Sequence, residues 1–255
     1  MEKEISKLAI SSEGIFHTIE GEGPSAGKPT IFLRLAGCNL HCKGWATPEN
    51  PHGCDTYASW HQSTLMGFDD ILEAIEQKGY SEFLLRGDIL KYTGGEPLLQ
   101  QERLFKFTES LYLFLSQIDC SFNRVIPIEF ETNATLVPID RWKDLQAHFV
   151  CSPKLANSGE TEHRRWNRDA LSWFAGYRWA FFKFVVNEPR DIDEIYEKYI
   201  NPFKISPSKV WLMPQCATRA QFFDRCEWVA EECKKNQFNF SPRLQILIWQ
   251  QRLGV

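Results

Sequence analysis

The chain has 255 residues, of which 43% are hydrophobic and 24% are charged, so it can bury the core of one α/β domain or of two small ones. Its formal net charge of -4 gives no basic surface for a phosphate backbone, so nucleic acid is not an expected partner. No run of about eighteen apolar residues occurs, and the N-terminal MEKEISKLAI lacks the apolar core of a signal peptide, so we expect no membrane span and a cytoplasmic location. In that reducing compartment the eight cysteines favour ligands, nucleophiles or packed thiols over disulfides.

Apolar, β-rich runs alternate with amphipathic segments along the chain. Helical periodicity is clear at 68–79 and 217–236, where Thr218 and Gln221 predict a capping box. This alternation implies βαβ units and a largely parallel sheet, in a single domain spanning 1–255. The predicted strands are 30–36, 89–93, 126–131, 148–152, 181–186, 209–213 and 244–249.

Polar or glycine-rich signals follow the first four predicted strands. They read GC, GGEP, TN and PK in chain order. Because the carboxyl ends of parallel strands form the ligand-binding face of α/β barrels and open sheets, we expect these signals to converge on one pocket.

The stretch GCNLHCKGWATPENPHGCDT contains Cys38, Cys42 and Cys54. Three thiolates can hold three corners of a four-iron, four-sulfur cluster and leave the fourth iron open. A structural zinc site completed by His41 or His52 is an alternative. Packed, unliganded thiols are a third interpretation, although this polar loop offers little apolar surface. The spacing alone leaves all three open.

A second motif, YTGGEPLLQ, places Gly94 and Gly95 where a predicted strand ends, so the backbone there can approach a ligand closely. By itself the motif is equally compatible with a turn that leads into a helix beginning at Pro97. Together with the cysteine loop, it resembles the radical S-adenosylmethionine (SAM) superfamily. In that superfamily the cluster binds the methionine moiety of SAM, and the glycine-rich segment contacts its amino group.

A longer series of motifs resembles the 7-carboxy-7-deazaguanine synthase family. These motifs are GIFHTIEGEGPSAGKPTIFLRLAGCNLHC, CDT, TGGEP, ETN, SPK and KFVV, with a weaker match in RLQILIW and the terminal GV. Several ordered motifs are far more specific than any one of them.

The resemblance implies a fold and a reaction. The fold would be an incomplete, TIM-like barrel of about six parallel strands, with helices outside and an N-terminal extension. The reaction would convert 6-carboxy-5,6,7,8-tetrahydropterin into 7-carboxy-7-deazaguanine with loss of ammonia, in 7-deazapurine biosynthesis of the queuosine type. It would use a 4Fe-4S cluster, SAM and Mg²⁺. A flavodoxin or ferredoxin would supply the electron to a homodimer.

The resemblance also implies roles for the matching residues. The expected cluster ligands are Cys38, Cys42 and Cys54, and the expected magnesium ligand is Thr56. The expected cofactor contacts are Asp55, Gly94, Gly95, Glu96, Glu131, Thr132, Asn133, Ser152 and Lys154. The expected substrate contacts are Glu20, Gly21, Glu22, Arg34, Thr93, Gly95, Gln245 and Val255.

Several of these residues also have structural interpretations. Arg34 lies in an apolar strand, where it would grip the substrate carboxylate or form an internal ion pair with Glu20 or Glu22. The Glu22 carboxylate suits the guanidine-like edge of a pterin. Thr56 is either a magnesium ligand or a turn hydroxyl, and the cofactor contacts are alternatively strand-end caps.

Three departures from the family pattern stand out. Eleven residues separate Cys42 from Cys54, where the common superfamily spacing has two, and we interpret 43–53 as an insertion whose ends still meet. Gln245 stands where relatives often carry a histidine, and glutamine cannot become a cation. ETNA replaces the usual ETNG, which would introduce strain if Ala134 needs a positive φ.

Two other functions remain open from the sequence. The first is a zinc-stapled α/β binding protein without catalysis. The second is another radical SAM enzyme, such as a glycyl-radical activating enzyme, which would not explain EGEG before the first predicted strand or CDT after it.

Overall fold

The computed structural model describes residues 6–46, 51–54, 56–250 and 252. They form one nine-stranded sheet with the order β3-β1-β2-β4-β5-β6-β7-β8-β9. The strands are β1 (Lys7–Ile19), β2 (Pro29–Leu35), β3 (Ser63–Gly67), β4 (Ile89–Gly94), β5 (Ile128–Thr132), β6 (His148–Cys151), β7 (Ala180–Val186), β8 (Val210–Pro214) and β9 (Asn239–Phe240).

The sheet is mostly parallel, as the strand and helix alternation predicted. Every neighbouring pair from β2 to β9 is parallel, whereas β1 runs antiparallel to both β2 and β3. The sequence analysis missed β1, β3 and the two-residue strand β9. The pattern of β1 is interrupted by a register shift between Ile10 and Ile15, which contains Gly14 at φ 62°.

Helices connect the parallel strands. They are α1 (Tyr57–His61), α2 (Phe68–Gln77), α3 (Tyr80–Arg86), α4 (Gln101–Ile118), α5 (Glu162–Arg165), α6 (Arg168–Gly176), α7 (Arg190–Ile195), α8 (Asn201–Phe203), α9 (Arg219–Asn236) and α10 (Leu244–Trp249). A π-helical turn at Tyr196–Ile200 joins α7 to α8. Short 3₁₀ turns lie at Gly23–Ser25, Pro97–Gln100, Asp140–Lys143, Ala156–Ser158 and Pro207–Lys209.

The predicted capping box at the start of α9 is half correct. Thr218 Oγ1 accepts a hydrogen bond from Gln221 N at 3.2 Å. The Gln221 side chain accepts from Ala217 N at 2.8 Å rather than from the cap residue's own N–H.

The prediction of a strand at 244–249 is wrong, because this segment is helix α10. A six-residue apolar run does not distinguish a strand from a buried helical turn. Here β9 already occupies the sheet edge beside β8, so the run forms its own hydrogen bonds and buries Ile246. This helix brings the side chain of Gln245 within hydrogen-bond distance of Glu22.

The two faces of the sheet differ in chemistry. In β4, Tyr92 faces the helices, where its hydroxyl lies 2.7 Å from Thr108 Oγ1 of α4. Alternation along the strand turns Lys91 and Thr93 to the opposite, inner face. Apolar side chains therefore fill the layer between sheet and helices, while the buried charges Lys91, Glu129 and Lys183 lie on the inner face. Among the helices of the described ranges, none is long and apolar enough to cross a membrane.

Candidate active site

A cavity of about 630 Å³ opens at the carboxyl ends of the parallel strands. Its wall brings together nearly all of the residues singled out in the sequence, although these are spread over more than 220 positions. They are Glu20, Gly21, Glu22, Arg34, Cys38, Cys42, Cys54, Thr56, Thr93, Gly94, Gly95, Glu131, Thr132, Asn133, Ser152, Lys154 and Gln245. Glu96 lies behind the wall, and Asp55 and Val255 lie outside the described residues.

The three cysteines of the loop line this wall together. Burial raises the pKa of the Cys38 thiol and raises that of Cys42 to about 12. His41 and His52 are exposed, and the His52 ring stacks on Tyr57 at a centroid distance of 3.9 Å. The cavity wall therefore contains the three cysteines of the loop and Cys216, and neither of the histidines that a zinc site would use.

The cysteines of the cavity wall are compatible with the ligands of an iron–sulfur cluster. Within the described ranges, no three His, Cys, Asp or Glu side chains converge as ligands of one ion. A structural zinc needs four ligands on one ion, whereas an iron–sulfur cluster is held by thiolates on its separate iron atoms. Three thiols around a shared space fit the second group.

The two ends of the 43–53 segment lie against each other. Gly53 has φ +76°, and a Cβ atom added there would lie 2.7 Å from the Cys42 carbonyl oxygen. This backbone contact places Cys54 beside Cys42 despite the eleven residues between them.

Hydrogen bonds fix the cysteine loop to neighbouring strand ends. Asn39 Nδ2 donates to Thr135 Oγ1 at 2.8 Å, and Asn39 Oδ1 accepts from Asn133 Nδ2 at 2.8 Å. Gly44 N donates to Ser158 O at 2.7 Å. These contacts join the loop to the segments that follow β5 and β6.

The glycine-rich turn packs on the same loop. A Cβ atom at Gly94, which has φ +122°, would lie 2.0 Å from Leu35 O, and one at Gly95 would lie 1.9 Å from Gly37 O. Only glycine permits this approach. The turn also leads into a 3₁₀ helix that begins at Pro97, as the second interpretation of the motif predicted, whereas contact of this turn with a ligand stays a prediction.

Glu96 connects the ends of two strands instead of lining the cavity. Its carboxylate accepts from Leu98 N at 3.0 Å, Thr132 Oγ1 at 2.8 Å and Asn133 N at 2.7 Å. Burial raises the pKa of Glu96 to about 7, against the effect of these hydrogen bonds. Ala134 next to this network has φ 61°, a left-handed conformation that costs a non-glycine residue about 1–2 kcal/mol.

Two buried lysines form ion pairs on the inner face of the sheet. Lys91 of β4 pairs with Glu20 and, at 2.9 Å, with Glu129. Lys183 of β7 pairs with Glu22 and, at 2.6 Å, with Glu131.

Glu22 makes more protein contacts than the sequence suggested. Its Oε1 accepts from Arg243 Nε at 3.0 Å and from Gln245 Nε2 at 2.6 Å, and its Oε2 pairs with Lys183. Burial opposes its ionisation, but Lys183 and Arg243 outweigh burial and lower its pKa to about 2. The sequence analysis did not single out Lys183 or Arg243. A lysine inside the apolar strand FFKFVV is the same costly-charge signal that identified Arg34.

Arg34 does not form the internal ion pair that was one of its two interpretations, because Glu20 and Glu22 pair with the lysines. Its guanidinium lies 5.7 Å from the centroid of the Phe16 ring. Its Nε is buried without a hydrogen-bond partner in the described part of the chain.

Thr56 and Lys154 present polar atoms to the cavity. Thr56 occupies the N-cap position of α1, yet its hydroxyl makes no cap hydrogen bond and lies 3.4 Å from Cys54 Sγ. Lys154 Nζ donates to Ser152 Oγ at 3.1 Å. The Thr56 hydroxyl is therefore not a helix cap, and its contact with Cys54 two residues earlier leaves the turn interpretation open beside the magnesium interpretation.

A mostly parallel α/β sheet whose strand ends carry three clustered cysteines and a glycine-rich turn is typical of radical SAM enzymes. No family model matches the chain. The 7-carboxy-7-deazaguanine synthase of Hyperthermus butylicus is 30% identical over 92% of this chain and 90% of its own length, and that of Pyrobaculum aerophilum is 28% identical over 92% of each. The crystal structure of QueE from Escherichia coli shares the fold, with a TM-score of 0.60 and 22% identity over 92% of this chain and 93% of that one. The chain belongs to the 7-carboxy-7-deazaguanine synthase family, which confirms the resemblance seen in its motifs.

Proposed function

We propose that this protein is a radical SAM enzyme that converts 6-carboxy-5,6,7,8-tetrahydropterin into 7-carboxy-7-deazaguanine with loss of ammonia, for queuosine-type 7-deazapurine biosynthesis. One observation carries the proposal: the three cysteines of the loop, the close-packed glycine turn and the carboxylates of Glu20, Glu22 and Glu131 share one cavity in a member of this family.

We further propose that the sheet is an incomplete barrel of about six parallel strands, with helices outside and β1 as an N-terminal extension, in a single domain of residues 1–255. Glu22, which follows β1, contacts Lys183 of β7 and Arg243 beyond β9. Contacts between such distant parts of the sheet support strong curvature around the cavity.

Cys38, Cys42 and Cys54 would hold the 4Fe-4S cluster. When bound and reduced, the cluster supplies the electron that cleaves SAM and so provides the radical that removes a hydrogen atom from the substrate. The backbone of Gly95, which lines the cavity, and the Lys154 ammonium would bind the charged ends of the methionine moiety. The aromatic and apolar wall would exclude water.

Mg²⁺ is part of the same proposal. The Thr56 hydroxyl is not used as a helix cap and faces the cavity, which suits a cation that takes few protein ligands and completes its shell with water and substrate. Asp55 is expected beside it from the family pattern.

For the substrate, we propose that Arg34 binds the carboxylate through charge-assisted hydrogen bonds. Its buried, unpartnered Nε supports a guanidinium that awaits an anionic partner. Gln245, Thr93 and Gly21 would contact the ring. Glu20 and Val255 remain predictions from the family pattern.

Three further expectations accompany this proposal, and the electron donor and the homodimer rest on the family resemblance alone. Thiol-ligated iron requires reducing conditions, so we expect a cytoplasmic enzyme. Its electron donor would be a flavodoxin or a ferredoxin. The active species would be a homodimer.

The test is mass spectrometry of an anaerobic mixture of reconstituted protein, reductant, SAM, Mg²⁺ and 6-carboxy-5,6,7,8-tetrahydropterin, with Cys54→Ala as the control. We expect 7-carboxy-7-deazaguanine from the wild type only. If 5'-deoxyadenosine forms alone, the proposed substrate is wrong. If neither product forms and the protein holds zinc, the enzymatic proposal is wrong.

A further inference from the structure

Lys183 lies beneath the cavity wall, between two carboxylates that belong to it. The residue is at the centre of β7 and is 1% exposed. Its ammonium pairs with Glu22 Oε2 and lies 2.6 Å from Glu131 Oε1. Both acids line the cavity and come from separate parts of the chain, one after β1 and the other in β5.

We propose that Lys183 is a positioning residue for the proposed reaction: it holds Glu22 and Glu131 as ionised acceptors at a fixed spacing, so that the wall selects a ring edge rich in N–H donors. This inference rests on the proposed function and adds a residue to it. The guanidine-like edge of a reduced pterin belongs to this class of ligand.

Glu22 and Glu131 differ in how many hydrogen bonds they already accept from the protein. Glu22 already accepts from Arg243 Nε and Gln245 Nε2 in addition to Lys183, and its side chain is only 13% exposed. Glu131 accepts from Lys183 and, at 3.1 Å, from Thr93 Oγ1, and its side chain is 30% exposed. Since an ionised carboxylate has about four acceptor sites, Glu131 keeps more capacity for a ligand.

The lysine is needed because the two acids share a buried space. Burial and mutual repulsion both favour their neutral forms, and the attraction of Lys183 opposes these effects. A protonated carboxyl would offer a donor where the ligand also presents donors. The other charged groups that act on this pair or on Lys183 are Arg243, Lys91, Lys154 and Glu20, and Glu129 acts in turn on Lys91 and Glu20.

The experiment measures the pH dependence of ligand binding rather than turnover. Isothermal titration calorimetry of reconstituted protein with 7-carboxy-7-deazaguanine, from pH 6 to pH 9, would compare wild type with Lys183→Met and Lys183→Arg. We expect a nearly flat affinity for wild type. For Lys183→Met we expect a loss of about tenfold or more at pH 6, with recovery as pH rises and the acids ionise. Lys183→Arg should restore most of the affinity, since it keeps the cation.

Lys183→Arg is the matched control, because it keeps a cation at the same buried position. Lys183→Met should unfold more easily than Lys183→Arg, and only Lys183→Met should change the pH dependence of binding. If Lys183→Met does not fold, Glu131→Gln replaces it. This neutral variant should lose affinity at every pH without recovery, and wild-type affinity would overturn the inference.

The outcomes separate the two proposals. Suppose that wild type binds the deazapurine and that Lys183→Met binds it with the same affinity and the same pH dependence. This result would overturn the role of Lys183 but not the proposed function. A wild type that binds no deazapurine overturns the proposed function and this inference with it.

Discussion

Gly53 packs directly against the main chain of Cys42, so that the loop between the second and third cysteines closes on itself. We expect Gly53→Ala to separate Cys54 from Cys42, because the new Cβ would lie 2.7 Å from a backbone oxygen that cannot rotate away. Iron and sulfide per chain should fall by more than half after reconstitution.

The control for this prediction is Gly79→Ala. Gly79 also has a positive φ, +69°, but a Cβ atom there would meet no atom within 4 Å. Both variants should lose about 1 kcal/mol of unfolding free energy or more from backbone strain, while Gly79→Ala keeps its iron. Equal iron loss in the two variants would mean that strain, and not the contact with Cys42, is responsible.

Arg34→Ala should chiefly weaken substrate binding. A charge-assisted hydrogen bond is worth about 1.5–3 kcal/mol, so KM for the tetrahydropterin should rise about 10- to 100-fold. Cleavage of SAM in the absence of substrate is the comparison. A matching loss of cleavage without substrate would contradict the role given to Arg34.

Gly21 and Gln245 should behave as a coupled pair. A Cβ atom at Gly21 would lie 2.0 Å from Gln245 Oε1, so Gly21→Ala should push the amide away from Glu22 and weaken substrate binding several-fold. In a Gln245→Ala background the clash partner is absent, and the same substitution should have a much smaller effect. A double-mutant cycle on KM tests this coupling, and additive effects would refute it.

Glu96 should make stability depend on pH. Its pKa is raised to about 7 in the folded protein, from an ordinary value of 4.5. Between pH 4.5 and pH 7, Glu96 is protonated more in the folded protein than in the unfolded chain. The contribution of this proton to the free energy of unfolding is therefore complete below about pH 4.5 and is lost as pH rises through about 7. Urea unfolding of wild type should therefore show a decline over this range that is absent in Glu96→Gln. The same slope in both proteins would assign the decline to other groups.

Glu96→Gln should also lower stability at neutral pH. The glutamine amide would face either Asn133 N–H or the donors Leu98 N and Thr132 Oγ1, so at least one hydrogen bond is lost, at a cost of about 1–3 kcal/mol.

The sequence predicted the position of the candidate site more accurately than it predicted the strands and helices. Short motifs at the ends of predicted strands anticipated the cavity, because parallel strands bring their carboxyl ends to one edge of a sheet. Thr56, Arg34 and Gln245 all reach this cavity from distant positions. Local pattern could not show that Glu22 and Glu131 share one lysine, because that contact joins the segment after β1 to strands β5 and β7, which are far apart in the sequence.

The errors have physical causes. The apolar run at 244–249 reads equally well as a strand or a helix, and the occupied edge beside β8 decides for the helix. Strand β1 is broken by a register shift and was missed. Glu96 was expected to face the cofactor, but it turns inward to satisfy three donors at the ends of β4 and β5.

Electron paramagnetic resonance of the reduced, reconstituted protein tests the central claim most directly, namely that one cavity holds both a three-cysteine cluster and SAM. We predict the signal of a one-electron-reduced 4Fe-4S cluster that changes when SAM is added, in wild type but not in Cys54→Ala. Stoichiometric zinc without a cluster signal, or a cluster signal that SAM leaves unchanged, would contradict the account.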